Sequence, residues 1–236
     1  PSLSLGLDED AKDVTDTAID WLERRGKEDH WFLALSYWET HTDYVIEKKW
    51  ADKAAASGPA PAWPDAATIE KHQSIYGAHS ARDLHGAYGA PSPTPDTMPD
   101  AIKDRADFEK LINGYDGTLA YFDHHLGRLF DKLKELGLYD NTAIVLTADH
   151  GEAFGENGIY AEHAMTHPAT SRVPMIVFWP GVTENLKPEQ REHDGLFYHL
   201  DFGPTLCDML GIPVPKGWHG KSFAKAVRGD TLDGRP

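Results

Sequence analysis

Apolar positions along this chain repeat with two different periods, and the switching between them outlines the fold. From Asp8 to Arg25, Val14, Ala18, Ile19 and Leu22 recur at helical spacing and Gly26 follows as a stop, which predicts an amphipathic helix. The preceding stretch from Leu3 to Asp10 mimics a strand ending in acids, yet is read here as the start of that helix. Trp31–Tyr37 is a continuous apolar run of strand length, suited to a strand covered on both faces. The clearest periodicity is Phe108, Leu111, Ile112, Tyr115, Leu119, Phe122, Leu126, Leu129, Phe130, Leu133 and Leu136, stepping by three and four toward Gly137. It predicts one long helix. Thr142–Thr147 and Val173–Trp179 predict two more strands, separated by a polar loop from Ala148 to Ser171. Asp201, with Pro204 close behind, predicts the N-cap of a short helix ending at Gly211. Strands alternating with helices predict an α/β domain with a largely parallel sheet flanked by helices.

Between these elements, residues 45–103 form a long Pro-rich insertion, with Pro59–Pro64 and Pro91–Pro95 as its stiffest stretches and a short helical piece near Ile69–Tyr76. It is expected to run over the surface, with His72, His79 and His85 as solvent-facing residues. The core α/β layer is assigned to residues 1–181 and 195–211, and residues 212–236 to a C-terminal tail segment. At 236 residues, 40% hydrophobic and 26% charged, the chain can bury a real core in one domain. Twenty-three Lys and Arg against 38 Asp and Glu leave a net charge of −15, and no basic patch interrupts it, so a nucleic-acid partner is not expected. No apolar run approaches the roughly 18 residues of a membrane span. The single Cys207 excludes an internal disulfide and a Cys-rich zinc module, and its mid-helix place predicts a core thiol. Compartment and oligomeric state are not read from these features.

Three clusters carry chemistry. Thr147-Ala-Asp149-His150-Gly151-Glu152 puts an Asp and a His just past a buried strand, where open α/β sheets gather ligands. A carboxylate beside an imidazole is half a shell for a divalent cation, and glycine permits the tight turn beneath it. His41, in Ser36-Tyr-Trp-Glu-Thr-His-Thr-Asp-Tyr44, follows the other buried strand and is suited to proton transfer at neutral pH. Glu162-His163-Ala-Met-Thr-His167-Pro lies in the loop returning to Val173. Parallel strands would bring His41, Asp149, His150 and His163 to one sheet edge. His124 and His125 are adjacent on the long helix, point about 100° apart, and do not chelate as a pair.

In this order, and with Asn113–Leu129 before the strand, Ser171-Arg-Val-Pro-Met-Ile-Val177 after it, Leu200–Leu206 and Gly217–Ser222, the set resembles the sulfatases of the alkaline-phosphatase-like superfamily. The resemblance runs over most of the chain and implies that architecture with its N-terminal part missing. It implies hydrolysis of a small-molecule or saccharide sulfate ester by the complete parent protein. Asp149 and His150 would bind a divalent metal, Ca2+ as the usual ion of the family, with Mn2+ or Mg2+ as alternatives. His41 would hold a sulfate oxygen or protonate the departing alcohol. His163, nine residues before Arg172, would hold the sulfuryl group, and His167 and Asn157 are looser assignments. The family's Cys/Ser-x-Pro-x-Arg segment, source of the formylglycine nucleophile, has no match here, so this chain alone is expected to be inactive. A phosphodiester or phosphonate monoester hydrolase on the same scaffold, and a non-catalytic truncated module, remain as alternatives.

Overall fold

The computed structural model describes residues 2–5, 10–44, 46–85, 96–232 and 234. Asp8 and the Pro91–Pro95 stretch lie outside them. The chain divides into two compact units, residues 1–139 with 149–173, and residues 140–148 with 174–236.

The first unit is built on a long helix. Asp104 accepts the backbone N–H groups of Ala106 and Asp107 and so caps α4 (Arg105–Glu135), whose buried stripe includes Phe108, Leu111, Ile112, Leu129 and Leu133. Against it lie α1 (Ala11–Arg25) and α2 (Lys48–Ser57). The contact with α2 needs a bare backbone at Gly117, where a Cβ would stand 2.8 Å from the Ala51 nitrogen. Asp10 caps α1, which buries Val14, Ala18, Trp21 and Leu22. Before it, the backbone of β1 (Ser2–Leu5) pairs parallel with β2 (Phe32–Leu35), Ser2 opposite Phe32. Leu3–Leu5, at the front of the segment read as a helix start, are therefore strand; their pairing partner lies some 30 residues away and leaves no local trace.

The insertion also departs from expectation. It folds α2 and α3 (Ala66–His72), the latter capped by Asp65, and much of it is interior. Tyr44, Ile69, Ala81, Leu84, Met98 and Ile102 join Phe108, Leu111, Ile112, Tyr160 and Ala161 in one buried cluster. His79 and His85 go in with them. Their expected exposure fails because each imidazole finds a carboxylate for one of its nitrogens, which offsets part of the cost of burying a polar ring. The unit is completed by the antiparallel pair β4 (Ala153–Phe154) and β5 (Tyr160–Glu162) and by the one-turn helix α5 (Pro168–Ser171).

In the second unit, β3 (Ile144–Thr147) and β6 (Met175–Phe178) pair antiparallel, Ile144 opposite Phe178. The parallel arrangement thus holds for β1 and β2 but not here, where only the four-residue α5 intervenes as α-helix and no long crossover helix returns the chain in the same direction. Helix α6 (His199–Leu210) begins at Tyr198, so Asp201 is not its N-cap. Its buried carboxylate instead accepts the Tyr198 and Lys221 N–H groups at 3.0 and 2.7 Å, tying the helix to the segment that leads into α7 (Ala224–Val227). Cys207 is half-buried on α6, not a full core residue.

Candidate functional site

The site lies wholly within the first unit and starts from the loop after β2. Glu39 accepts the Ala11 N–H at the start of α1, and Tyr37 meets Thr15 at 3.1 Å, so the loop is fastened at its base. The His41 N–H then donates to the Trp38 carbonyl at 2.9 Å, and the two rings stack with centroids 4.0 Å apart. His41 Nδ1 sits 2.5 Å from the Thr42 carbonyl oxygen. A carbonyl only accepts, so Nδ1 carries the proton and Nε2 is left for chemistry. The Thr42 hydroxyl donates to the Ala161 carbonyl at 3.1 Å, linking this loop to β5.

Asp149 and His150 occupy a tight turn. The Asp149 carboxylate accepts the His150 N–H at 3.0 Å and is otherwise in solvent, its side chain 91% exposed. His150 Nδ1 donates to the Gly151 carbonyl at 2.9 Å, which frees Nε2 as a lone pair 3.7 Å from Asp149 Oδ1. The turn is pressed onto α5: the Gly151 N–H donates to Thr170 at 2.8 Å, and a Cβ on Gly151 would lie 2.1 Å from the Ala169 carbonyl oxygen. No side chain fits there.

The third ring arrives from β5. His163 stacks on His150 with centroids 3.9 Å apart and lies 4.9 Å from His41. One ring nitrogen from each of His41, His150 and His163 lies within 4.8 Å of the other two. Burial lowers the His163 pKa, and the neighbouring His150 adds to the effect. Behind the rings are two carboxyl groups. Glu152 is almost fully buried, with Oε1 3.7 Å from His163 Nδ1, and burial, reinforced by Glu162, pushes its pKa up to about 8. Burial pushes Glu162 the same way, but the backbone N–H groups of Ala164 and His163, together with His79, outweigh it and hold this carboxyl below its usual value. Three imidazoles plus Asp149 form a nitrogen-and-oxygen donor set that suits a divalent metal of intermediate hardness.

The sulfatase family model matches residues 6–212. The chain belongs to the sulfatase family. A sulfatase of Formosa agariphila is 26% identical over 217 residues, which is 89% of this chain and 39% of that protein. The chain therefore spans about 39% of the length of that curated relative. Among solved structures, the phosphonate monoester hydrolase of Silicibacter pomeroyi matches with a TM-score of 0.65 at 24% identity, covering 95% of this chain and 43% of its own. A protein solved with its substrate D-glucosamine-2-N,6-O-disulfate matches with a TM-score of 0.66 at 18% identity, covering 96% and 53%. Both likenesses establish the alkaline-phosphatase-like fold, and sulfatase-family proteins generally use a divalent metal.

For a sulfatase-family chain, the arrangement brings His41, His150 and His163 together with Asp149 on their solvent side. His167 goes elsewhere: its Nδ1 accepts the Ala169 N–H at 3.1 Å and caps α5. Asn157 occupies a left-handed turn between β4 and β5, with φ of 55°. Sequence reasoning missed Trp38, which stacks on His41, and gave no part to Glu152 or Glu162. The only available signal was the unusual density of acids beside the histidines, Glu152 and Glu162 each flanking a motif. Among the described residues no helix is long and apolar enough to cross a membrane.

Proposed function

We propose that the complete protein hydrolyses a sulfate ester carried on a small molecule or a saccharide. The observation that supports this reading is the meeting of His41, His150 and His163 within 4.8 Å, with the Asp149 carboxylate beside them. Asp149 and His150 Nε2 would hold a divalent cation, which would supply positive charge against the negative charge gathering on the sulfuryl oxygens. An imidazole in the set suits Mn2+; Ca2+, the common ion of the family, needs further oxygen donors besides Asp149. His163 offers its ring to a sulfuryl oxygen. His41, its Nδ1–H anchored on Thr42, would act as the general acid in its imidazolium form, giving the proton on Nε2 to the departing alcohol and returning to the neutral Nδ1–H ring. The nucleophile, a formylglycine by resemblance to the family, belongs to a segment outside these 236 residues.

A second reading, phosphonate monoester hydrolysis on the same scaffold, is favoured by the nitrogen ligand His150 and by the fold shared with a phosphonate monoester hydrolase. The test is turnover by the full-length protein of an aryl sulfate and of an aryl phosphonate monoester, each after chelation and after return of Ca2+, Mn2+ or Mg2+. Faster hydrolysis of the sulfate, lost on chelation and in Asp149→Ala, is the expected result. Preference for the phosphonate would replace the first reading with the second. Failure with both, together with failure on sulfated saccharides, would leave a non-catalytic module.

A further inference from the structure

The insertion does more than cover the fold: one of its histidines reaches the back of the site. His79 Nε2 lies 2.8 Å from Glu162 Oε2, and both side chains are largely buried. The other oxygen of the same carboxylate, Oε1, accepts the N–H groups of His163 and Ala164, each at 2.7 Å. Glu162 is thus gripped at both oxygens, by His79 on one side and by the backbone that carries the His163 ring on the other. The grip is anchored in turn. The His79 carbonyl accepts the Tyr160 N–H at 2.8 Å, and Ser80 bridges Ile159 in antiparallel fashion. Tyr160 and Glu162 stand two apart on β5, so one short length of strand is held by the backbone and the side chain of the same histidine. His79 and the buried Ala161 both sit at left-handed φ, 57° and 50°, positions that cost free energy for residues with a side chain and persist only where surrounding bonds enforce them.

We propose that His79 is a positioning residue for this site: by donating to Glu162 Oε2 it fixes the carboxylate that orients the backbone and ring of His163. The proposal rests, for its kinetic consequence, on the sulfatase reading given above. His79 touches no substrate in this scheme. It acts through Glu162, as outer partners of ligating or catalytic histidines do elsewhere, where their loss typically costs about 10- to 100-fold.

The experiment compares His79→Gln and His79→Leu in the full-length protein. Gln Nε2 reaches close to the place of the histidine Nε2 and can donate to Glu162; Leu fills similar volume without a donor. The expected result with an aryl sulfate is a loss of about 10-fold or more in kcat for Leu at nearly constant KM, and recovery to within about threefold of wild type for Gln. In a His163→Ala background the Leu substitution should cost almost nothing further, since its route to the chemistry is gone. A parallel spectrum of ring-13C histidine, with the His163 signal assigned by its disappearance in His163→Ala, should show that signal moved in His79→Leu and unmoved in His79→Gln. Equal activity of the two variants, or a His163 signal unmoved in the Leu variant, would overturn the proposal. Should the Leu variant not fold, His79→Asn, whose amide stops short of Glu162, takes its place in both measurements. If the wild-type protein turns over no sulfate ester, the functional reading fails, and the ring spectrum still decides the role of His79.

Discussion

The two sides of the histidine cluster are built on opposite principles. On one side Asp149 projects into solvent, and the His150 ring is about one-third exposed. On the other, Glu152 is 5% exposed, and His79 and Glu162 are largely buried at 11% and 17%. Asp149 and Glu152 are only three residues apart in one turn, yet one carboxyl sits in water and the other is driven toward its neutral form by burial. Gly151 between them makes the difference possible, because its bare backbone lets the turn lie flush against α5 with Asp149 facing out and Glu152 facing in. The contrast separates the work. On the function proposed above, the exposed side is where a cation and an anionic ester would approach, and the buried side holds geometry. Substitutions should therefore divide into those that change chemistry at constant stability and those that change stability first.

The largest effect is expected at His41. In the full-length protein His41→Ala should lower turnover by about 10²- to 10⁴-fold while metal content and melting temperature stay near wild type. The loss should be greater for poor leaving alcohols than for good ones, because only poor ones need the proton. An equal loss for both would remove the general-acid role and leave His41 as a binding residue.

The buried side should answer to pH. The Glu152 carboxyl has an ordinary value of 4.5 and is raised to about 8 in the fold. The native state therefore keeps a proton that the unfolded chain has already lost across this window. The associated stabilisation is complete below about pH 4.5 and disappears as pH climbs through about 8. Glu152→Gln, neutral at every pH, should abolish that slope in metal-free protein. It should be more stable than wild type by a few kcal/mol at pH 8.5 and about equal near pH 4.5, measured by denaturant unfolding. Identical slopes for the two proteins would mean that Glu152 is ionised in the fold.

A smaller loss is expected where the two sides meet. Gly151→Ala forces a methyl group against the Ala169 carbonyl and should cost about 1–3 kcal/mol, with displacement of the turn lowering metal affinity at the same time. Unfolding midpoints and metal titration would be read together; loss of stability with metal binding intact would uncouple the turn from the cation. The smallest change in stability belongs to Asp149→Asn, within about 0.5 kcal/mol of wild type because the side chain is in solvent. Its metal affinity should nonetheless fall, and a large drop in stability without metal would contradict the division drawn here.

What could be read directly from the residues was local or periodic. The stripe from Phe108 to Leu136 and the stop at Gly137 define α4, because helical bonds join residues four apart and the apolar face repeats with them. The Asp149-His150 and His41 motifs likewise stood out by residue type and order, and the family could be recognised from them. Tertiary structure alone decided the rest. Ser2–Leu5 is a strand because Phe32–Leu35 lies beside it, and β3 and β6 run antiparallel because of the path between them. His79, expected in solvent, is interior because Glu162 waits there, a residue 83 positions further along the chain. Pairing and burial depend on neighbours distant in sequence, and an acid's ionisation depends on the water that those neighbours exclude. Asp149 and Glu152 look alike in the sequence; only the fold makes one an exposed carboxylate and the other a buried acid.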